Sequence, residues 1–257
     1  YPQTHDVTIT NSIIAEGLYH SIHPKGPHSK GVMVGDDSKR ISLSRNVIAF
    51  NEERNPYIKP GTSCECINNL VYGWGPRGPW STCNISNNDG SSKPVLLTFV
   101  GNWYMPGPDS YNTPPVYGKN IAPTSRIFAN DNTWGHWPYK KEVSIGAIAA
   151  NDTSLSVSNP PLISQGSRPL TSSSVIDYIS QNAGSRPRYR SPIDTRILND
   201  IEYRRGSLKD CVSGCPNSAG GWPSSSLQLV YNAMDARADE YHLKNVVIPS
   251  ANEVEGL

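Results

Sequence analysis

The length, composition and charge of the chain favour a turn-rich β protein. Its 257 residues suffice for one large domain or two smaller ones, and 21 Gly with 22 Pro argue against long helical bundles. A net charge of +1 offers no basic surface for nucleic acid or an anionic membrane, and no apolar run reaches the roughly 18 residues that span a bilayer. We therefore expect neither a nucleic acid nor a membrane as partner.

Four segments in the first half of the chain share one pattern. Each alternates apolar and polar residues, reaches a serine or an asparagine, and then resumes with apolar residues. The segments span 7–14, 41–48, 65–71 and 97–104, and their shared polar positions are Ser12, Asn46, Asn69 and Asn102.

The spacing of those four positions indicates stacked coils. The intervals are 34, 23 and 33 residues, as expected for a coil of about 22 to 25 residues that carries loop insertions of about ten. In such a solenoid, asparagines at equivalent positions stack and satisfy each other's amides. The alternative is an antiparallel β-sandwich, which gives no reason for the recurrent asparagine.

The second half of the chain is irregular and then helical. Residues 112–173 predict the last coils and a lid, with short strands at 125–128 and 143–149. Helices are predicted at 174–182, ended by Gly184, at 191–206, where Ser191 is the N-cap and Pro192 the first helical residue, and at 227–243. We expect these helices to cap or clasp the end of the β stack. Residues 1–170 would thus form coils and covering loops, and 171–257 a helical segment of the same domain.

The spacing of the five cysteines fits a zinc site poorly and favours disulfides. Cys64 and Cys66 would point the same way from one strand, so at least one of them should meet Cys83, with Cys66 the candidate. Cys211 and Cys215 could close a small loop. Two glycosylation sequons, at Asn84 and Asn151 in loop-like contexts, add to the indication of a secreted glycoprotein.

Several motifs together carry a resemblance to a known family. They are the segments 28–35, 41–51, 54–56 and 68–75, followed more loosely by 100–108, 183–184, 194–196 and 220–223. In these segments the chain resembles the later coils of the pectate lyases of polysaccharide lyase family 1. The resemblance implies an all-β fold, a right-handed parallel β-helix with irregular C-terminal loops and a few short capping helices.

The resemblance also implies a reaction and a catalytic base. Family members cleave polygalacturonate by β-elimination, in which a base removes the proton at C5 and the bond at C4 breaks. The family base is an arginine in the motif Arg-x-Pro-x-x-Arg, which residues 54–59 match except at the last position. Arg54 is therefore expected to be the base. Lys59 would bind a substrate carboxylate as a point charge, without the two-pronged hydrogen bonding of arginine.

Further cations could complete this site. Lys30 stands where the family often has a carboxylate-binding lysine, 24 residues before Arg54, so both could project from neighbouring coils. Lys25 is an alternative for the same role. His28 could orient either partner, although a histidine in a loop is equally well explained by solvation.

The calcium ligands that the resemblance implies are not evident in the sequence. Glu16, Asp36 and Asp37 are the nearest carboxylates, yet Ca2+ takes about six to eight oxygen ligands and they form no dense cluster. We expect the primary ligands to lie upstream of Tyr1, on preceding sequence or on another chain that completes the β-helix.

Two functions remain open at this point. One is a secreted lyase that acts on pectate or a related acidic polysaccharide with Ca2+. The other is a non-catalytic β-helix that binds carbohydrate in the same groove or serves as a structural or filament component.

Overall fold

The repeated segments fold into three parallel sheets that run along a stack of coils. A computed structural model describes residues 3–19, 24, 26–86, 92–135, 141–142, 153–164 and 166–209. Each complete coil contributes one strand to every sheet, and strands pair with the equivalent strands of the coils before and after. The expected parallel β-helix is therefore confirmed, and the sandwich alternative is wrong.

The strands of each sheet succeed one another at intervals of one coil. Sheet 1 contains β1 (His5–Thr10), β4 (Lys39–Ser44), β7 (Ser63–Ile67), β10 (Leu96–Val100) and β13 (Arg126–Asn130). Sheet 2 contains β2 (Ile13–Ala15), β5 (Val47–Ala49), β8 (Leu70–Tyr72), β11 (Trp103–Met105), β14 (Thr133–Trp134) and, antiparallel to β14, β15 (Lys141–Glu142). Sheet 3 contains β3 (Met33–Val34), β6 (Tyr57–Ile58), β9 (Cys83–Ser86) and β12 (Val116–Lys119).

The turn between sheets 1 and 2 carries the predicted asparagine ladder. Asn46 donates from Nδ2 to Oδ1 of Asn69 at 3.1 Å, and Asn69 donates to Asn102 at 3.1 Å. The ladder continues to Asn132, which the sequence pattern had not indicated. Its first position is Ser12, whose backbone N donates to Oδ1 of Asn46 at 3.0 Å. Each asparagine of the ladder therefore forms hydrogen bonds with polar groups of the coil before it.

The residue before each ladder position adopts a left-handed backbone. In the fourth coil this residue is Gly101, with φ of 65°. A Cβ atom there would lie 2.2 Å from Nδ2 of Asn68 and 2.7 Å from the carbonyl oxygen of Leu170, so the close approach also requires glycine. The turn geometry is thus the same from coil to coil.

Apolar side chains from all three sheets fill the inside of the coils. Cys64, Cys66 and Cys83 belong to this interior, where they are buried and free. The predicted bridge between Cys66 and Cys83 is therefore wrong: these residues form core positions, where a thiol packs as a small apolar side chain. Cys211 and Cys215 lie outside the described residues.

The outward face of sheet 2 is also apolar, and two helices cover it. These are α1 (Val175–Asn182) and α2 (Pro192–Glu202), close to the predicted bounds, and the Ser191 hydroxyl caps α2 by accepting from the backbone N of Asp194 at 3.0 Å. Their apolar residues pack on Val47, Leu70 and Trp103 of three successive coils. The helices therefore lie along the side of the stack rather than across its end as expected. The predicted helix at 227–243 and the predicted strand at 143–149 lie outside the described residues.

Residues 162–164 and 166–170 cover the outward face of sheet 1. Glu65, which is buried there, accepts from the Ser42 hydroxyl at 2.6 Å and from the backbone N of Ser164 at 2.8 Å. Short 3-10 helices occupy Pro79–Ser81, Thr153–Leu155, Ser172–Ser174 and Pro187–Tyr189. Among the described residues, no helix combines the length and the hydrophobicity that a bilayer-spanning segment needs.

Candidate functional site

Lys30 and Arg54, two of the predicted cations, lie on successive coils, just before the strands β3 and β6 of sheet 3. Lys30 forms a parallel β-bridge with Glu53, and the backbone N of Val32 donates to the carbonyl oxygen of Arg54 at 2.7 Å. Lys30 is thus aligned with Glu53, and Arg54 is aligned with the residue that follows Lys30. The two basic residues are neighbours in the stack, offset by one residue.

The charge of Lys30 is balanced by carboxylates of this chain. Its Nζ atom lies 2.8 Å from Glu53 and 3.9 Å from Glu52, and only 14% of its side chain is exposed. A substrate carboxylate would have to displace Glu53 to reach the ammonium group. Lys30 is therefore poorly placed to bind an anion without a rearrangement.

Glu52 is the most deeply buried ionisable group of this region. Its Oε1 atom lies 2.6 Å from Nε of Arg77, while Oε2 is buried and has no hydrogen-bond donor among the described residues. Burial raises the pKa of Glu52, against the charges of Arg77 and Lys30 that lower it. Gly75 packs so close that a Cβ on it would lie 2.6 Å from Cγ of Glu52.

Arg77 covers Glu52 from the outside. Its guanidinium group stacks over the Tyr19 ring, 5.0 Å from the centroid, and donates to the Tyr19 hydroxyl. The site thus contains two carboxylates, two cations and a phenol within one contact network. Glu52, Arg77 and Tyr19 could not be predicted as site residues, because this network brings together residues far apart in the chain. The only local signal was the pair Glu52-Glu53 beside Arg54.

Arg54 sits on the turn between β5 and β6 and is half-buried. Its backbone is left-handed, with φ of 66°, a conformation that residues other than glycine adopt rarely. The guanidinium carbon lies 5.7 Å from the centroid of the Tyr57 ring, and Nη1 lies 3.7 Å from Sδ of Met33. Within the described part of the chain, Arg54 has no carboxylate partner.

The remaining predicted binding residues have separate surroundings. Lys59 pairs with Asp36 at 2.7 Å, so its charge is also balanced. The backbone N of His28 donates to the carbonyl oxygen of Tyr19 at 2.8 Å, which places this histidine beside the Arg77 network. Lys25 lies outside the described residues.

The two sequons differ in what the structure shows. Asn84 lies within strand β9 rather than in a loop, and its Oδ1 atom is buried without a hydrogen-bond partner. The expectation of a loop at Asn84 is therefore wrong. Asn151 lies outside the described residues.

The carboxylates nearest the predicted site do not form a calcium site, as their scattered positions in the sequence indicated. Glu16 pairs with Arg196 at 2.7 Å, Asp36 with Lys59, and Asp37 with Lys93 at 2.5 Å. Each carboxylate thus has its own cation, whereas Ca2+ needs several oxygens around one point. Across the described ranges, no group of three or more His, Cys, Asp or Glu side chains could hold a metal ion. The expectation that the ligands lie upstream of Tyr1 stays a prediction.

Comparison of the chain with models of known protein families and with curated proteins finds no match.

Proposed function

We propose that the chain is a polysaccharide lyase that cleaves pectate (polygalacturonate) or a related uronate polymer by β-elimination, with Arg54 as base. The observation that carries this proposal is the position of Arg54, half-buried on a turn beside the coil of Lys30, with no carboxylate partner in the described chain. The resemblance of residues 28–108 to polysaccharide lyase family 1 supports it. Because such polymers are too large to enter cells, we place the protein outside the cell.

The proposed reaction needs a neutral arginine. The proton at C5 passes to Arg54, the electron pair of the C5–H bond forms a double bond between C4 and C5, and the electron pair of the C4–O bond leaves with the departing sugar oxygen, which takes up a proton from water. A guanidinium group is normally protonated in proteins, so activity should rise toward alkaline pH. Lys30 and Lys59 would bind substrate carboxylates only after separating from Glu53 and Asp36.

A second candidate is the non-catalytic β-helix that binds acidic polysaccharide. One contact favours it: the Tyr57 ring beneath Arg54 stabilises the protonated guanidinium group. In that form Arg54 binds a uronate carboxylate through two parallel hydrogen bonds but cannot accept a proton. The same surface would then bind the polymer and leave it intact.

One experiment distinguishes the two candidate functions. The chain is incubated with polygalacturonate and added Ca2+ between pH 7 and 10, and the ultraviolet absorbance of the unsaturated product is recorded alongside binding of the polymer. A lyase forms product faster as pH rises, and Arg54→Ala abolishes it, whereas the exposed control Arg126→Ala on sheet 1 does not. Binding without product indicates the non-catalytic protein, and the absence of both rejects both candidates.

A further inference from the structure

Met33 differs from the other described methionine in its exposure to solvent. It lies on strand β3, and 54% of its surface is exposed, whereas Met105 of sheet 2 is 3% exposed. The third methionine, Met234, lies outside the described residues. Because an oxidant must reach the sulfur atom to react with it, Met33 should be oxidised before Met105.

The thioether of Met33 contacts the proposed base. Its Sδ atom lies 3.7 Å from Nη1 of Arg54, where it acts as a weak acceptor. The register of sheet 3 pairs Met33 with Tyr57, and the Tyr57 ring lies 5.7 Å from the guanidinium carbon of Arg54. The guanidinium group therefore contacts two paired side chains of sheet 3, one aromatic and one a thioether.

Oxidation of Met33 would replace this weak acceptor by a strong one. With hydrogen peroxide, the lone pair of Sδ forms a bond to one peroxide oxygen, the O–O bond breaks, and the other oxygen leaves as water. The sulfur is oxidised and the peroxide is reduced. The sulfoxide oxygen is polar and accepts hydrogen bonds readily, and the unbranched side chain of Met33 can turn it toward Nη1 of Arg54.

We propose that Met33 is an oxidation site through which a peroxide controls Arg54. The sulfoxide oxygen accepts a hydrogen bond from the protonated guanidinium group and stabilises that form over the neutral one. A base must lose its proton before it can accept another, so the oxidised chain should cleave the polymer more slowly. The effect on cleavage rests on the function proposed above, whereas the contact between the sulfoxide and Arg54 does not.

The first test follows oxidation and cleavage in the full chain. After treatment with dilute hydrogen peroxide, peptide mapping should find Met33 oxidised before Met105. The formation of unsaturated product from polygalacturonate should then fall about tenfold, as expected for one hydrogen bond to a charged group. Treatment with a methionine sulfoxide reductase should restore the rate.

The second test reads the state of Arg54 without catalysis. Phenylglyoxal reacts with the neutral form of a guanidine group, so oxidation of Met33 should slow the labelling of Arg54 about tenfold. Arg126, an exposed arginine on sheet 1, should be labelled at the same rate before and after oxidation. In the untreated chain, Met33→Gln places an amide oxygen near Arg54 and should slow its labelling as well.

Two further variants assign the effect to one sulfur atom. Met33→Leu keeps a similar volume and every cysteine, so peroxide should change neither its product formation nor its labelling of Arg54. Met234→Leu should respond to peroxide as the parent chain does. Thermal unfolding should show that each variant is folded.

The outcomes separate this proposal from the proposed function. Oxidation of Met33 no faster than that of Met105, or labelling of Arg54 that oxidation leaves unchanged, overturns the proposal. An equal response of Met33→Leu and the parent chain overturns it as well, because another residue then carries the effect. Slower labelling in a chain that forms no product before oxidation supports the contact and rejects the lyase function instead.

Discussion

Asn69 donates from Nδ2 to Oδ1 of Asn102, 3.1 Å away, and accepts at its own Oδ1 from Nδ2 of Asn46 at 3.1 Å. It also donates to the carbonyl oxygen of Leu43 at 2.8 Å, and its Oδ1 accepts from the backbone N of Asn46 at 3.0 Å. One side chain therefore connects three successive coils.

Replacing Asn69 by alanine should lower the free energy of unfolding by about 3 kcal/mol, because two buried donors of Asn46 lose their acceptor and the carbonyl oxygen of Leu43 loses a donor. Urea unfolding measures the change. Asn112→Ala is the control: this exposed residue should change stability by less than about 0.5 kcal/mol. A loss for Asn69→Ala no larger than for the control would mean that the ladder contributes little to stability.

Replacing Glu53 by glutamine should strengthen binding of polygalacturonate about threefold to tenfold, since Lys30 then loses the carboxylate 2.8 Å from its Nζ and becomes available to the polymer. Binding can be followed by affinity electrophoresis or calorimetry. Asp6→Asn removes the same charge from an exposed position on sheet 1, where Asp6 pairs with Arg40, and should leave the affinity unchanged. An unchanged affinity for Glu53→Gln would remove Lys30 from the proposed binding surface.

The pH dependence of stability should reveal Glu52. Burial raises the pKa of Glu52 above its ordinary value of 4.5, although the charges of Arg77 and Lys30 act to lower it. As pH rises, the unfolded chain therefore releases this proton at a lower pH than the folded chain does. The folded state therefore loses stability as pH rises from 4.5 through the pKa of the folded protein. Glu52→Gln cannot titrate and should not show this loss.

The measurement is the free energy of unfolding at pH 4 and pH 8 for the parent chain and for Glu52→Gln. The parent chain should become less stable relative to the variant at the higher pH. Glu202→Gln, at an exposed position of α2, should leave the pH profile as it is in the parent chain. If the parent chain and Glu52→Gln show the same profile, the ionised form of Glu52 is fully stabilised by its cations.

Cys64, Cys66 and Cys83 should be found as free thiols. Burial raises the pKa of the Cys83 thiol, and a hydrogen bond with Cys66 together with burial raises that of Cys64, so both should react slowly with alkylating reagents in the folded protein. After unfolding without a reductant, peptide mapping should show all three alkylated. A peptide pair linked through Cys66 and Cys83 would contradict the structure.

Much of the fold could be predicted because the sequence pattern that determines it is local and recurs in each coil. The alternating strands around Asn46, Asn69 and Asn102 fixed both the coil and its turn, and Ser191-Pro192 marked the start of α2. The position of the helices could not be predicted in the same way. It depends on Val47, Leu70 and Trp103 facing outward from three coils at once, a surface that exists only after the coils have stacked.

The candidate site was predicted less completely, because it depends on the register between neighbouring coils. A shift of one residue decides whether Lys30 aligns with Glu53 or with Arg54, and the loop before Lys30 hides that register in the sequence. The alignment with Glu53 turned a predicted substrate-binding cation into half of an ion pair. Arg77 and Tyr19 come from other turns of the stack, so no spacing rule could bring them to Glu52.

The separation of the asparagine ladder from the loops has an evolutionary consequence. The ladder positions are 34, 23, 33 and 30 residues apart, yet in every interval the backbone N of one position donates to Oδ1 of the next at 2.9 to 3.1 Å. A descendant of this chain could therefore gain or lose residues at a corner of a coil without altering the inherited core. New binding surfaces can arise in this way by loop growth alone, while selection on the scaffold continues to act on a handful of turn residues.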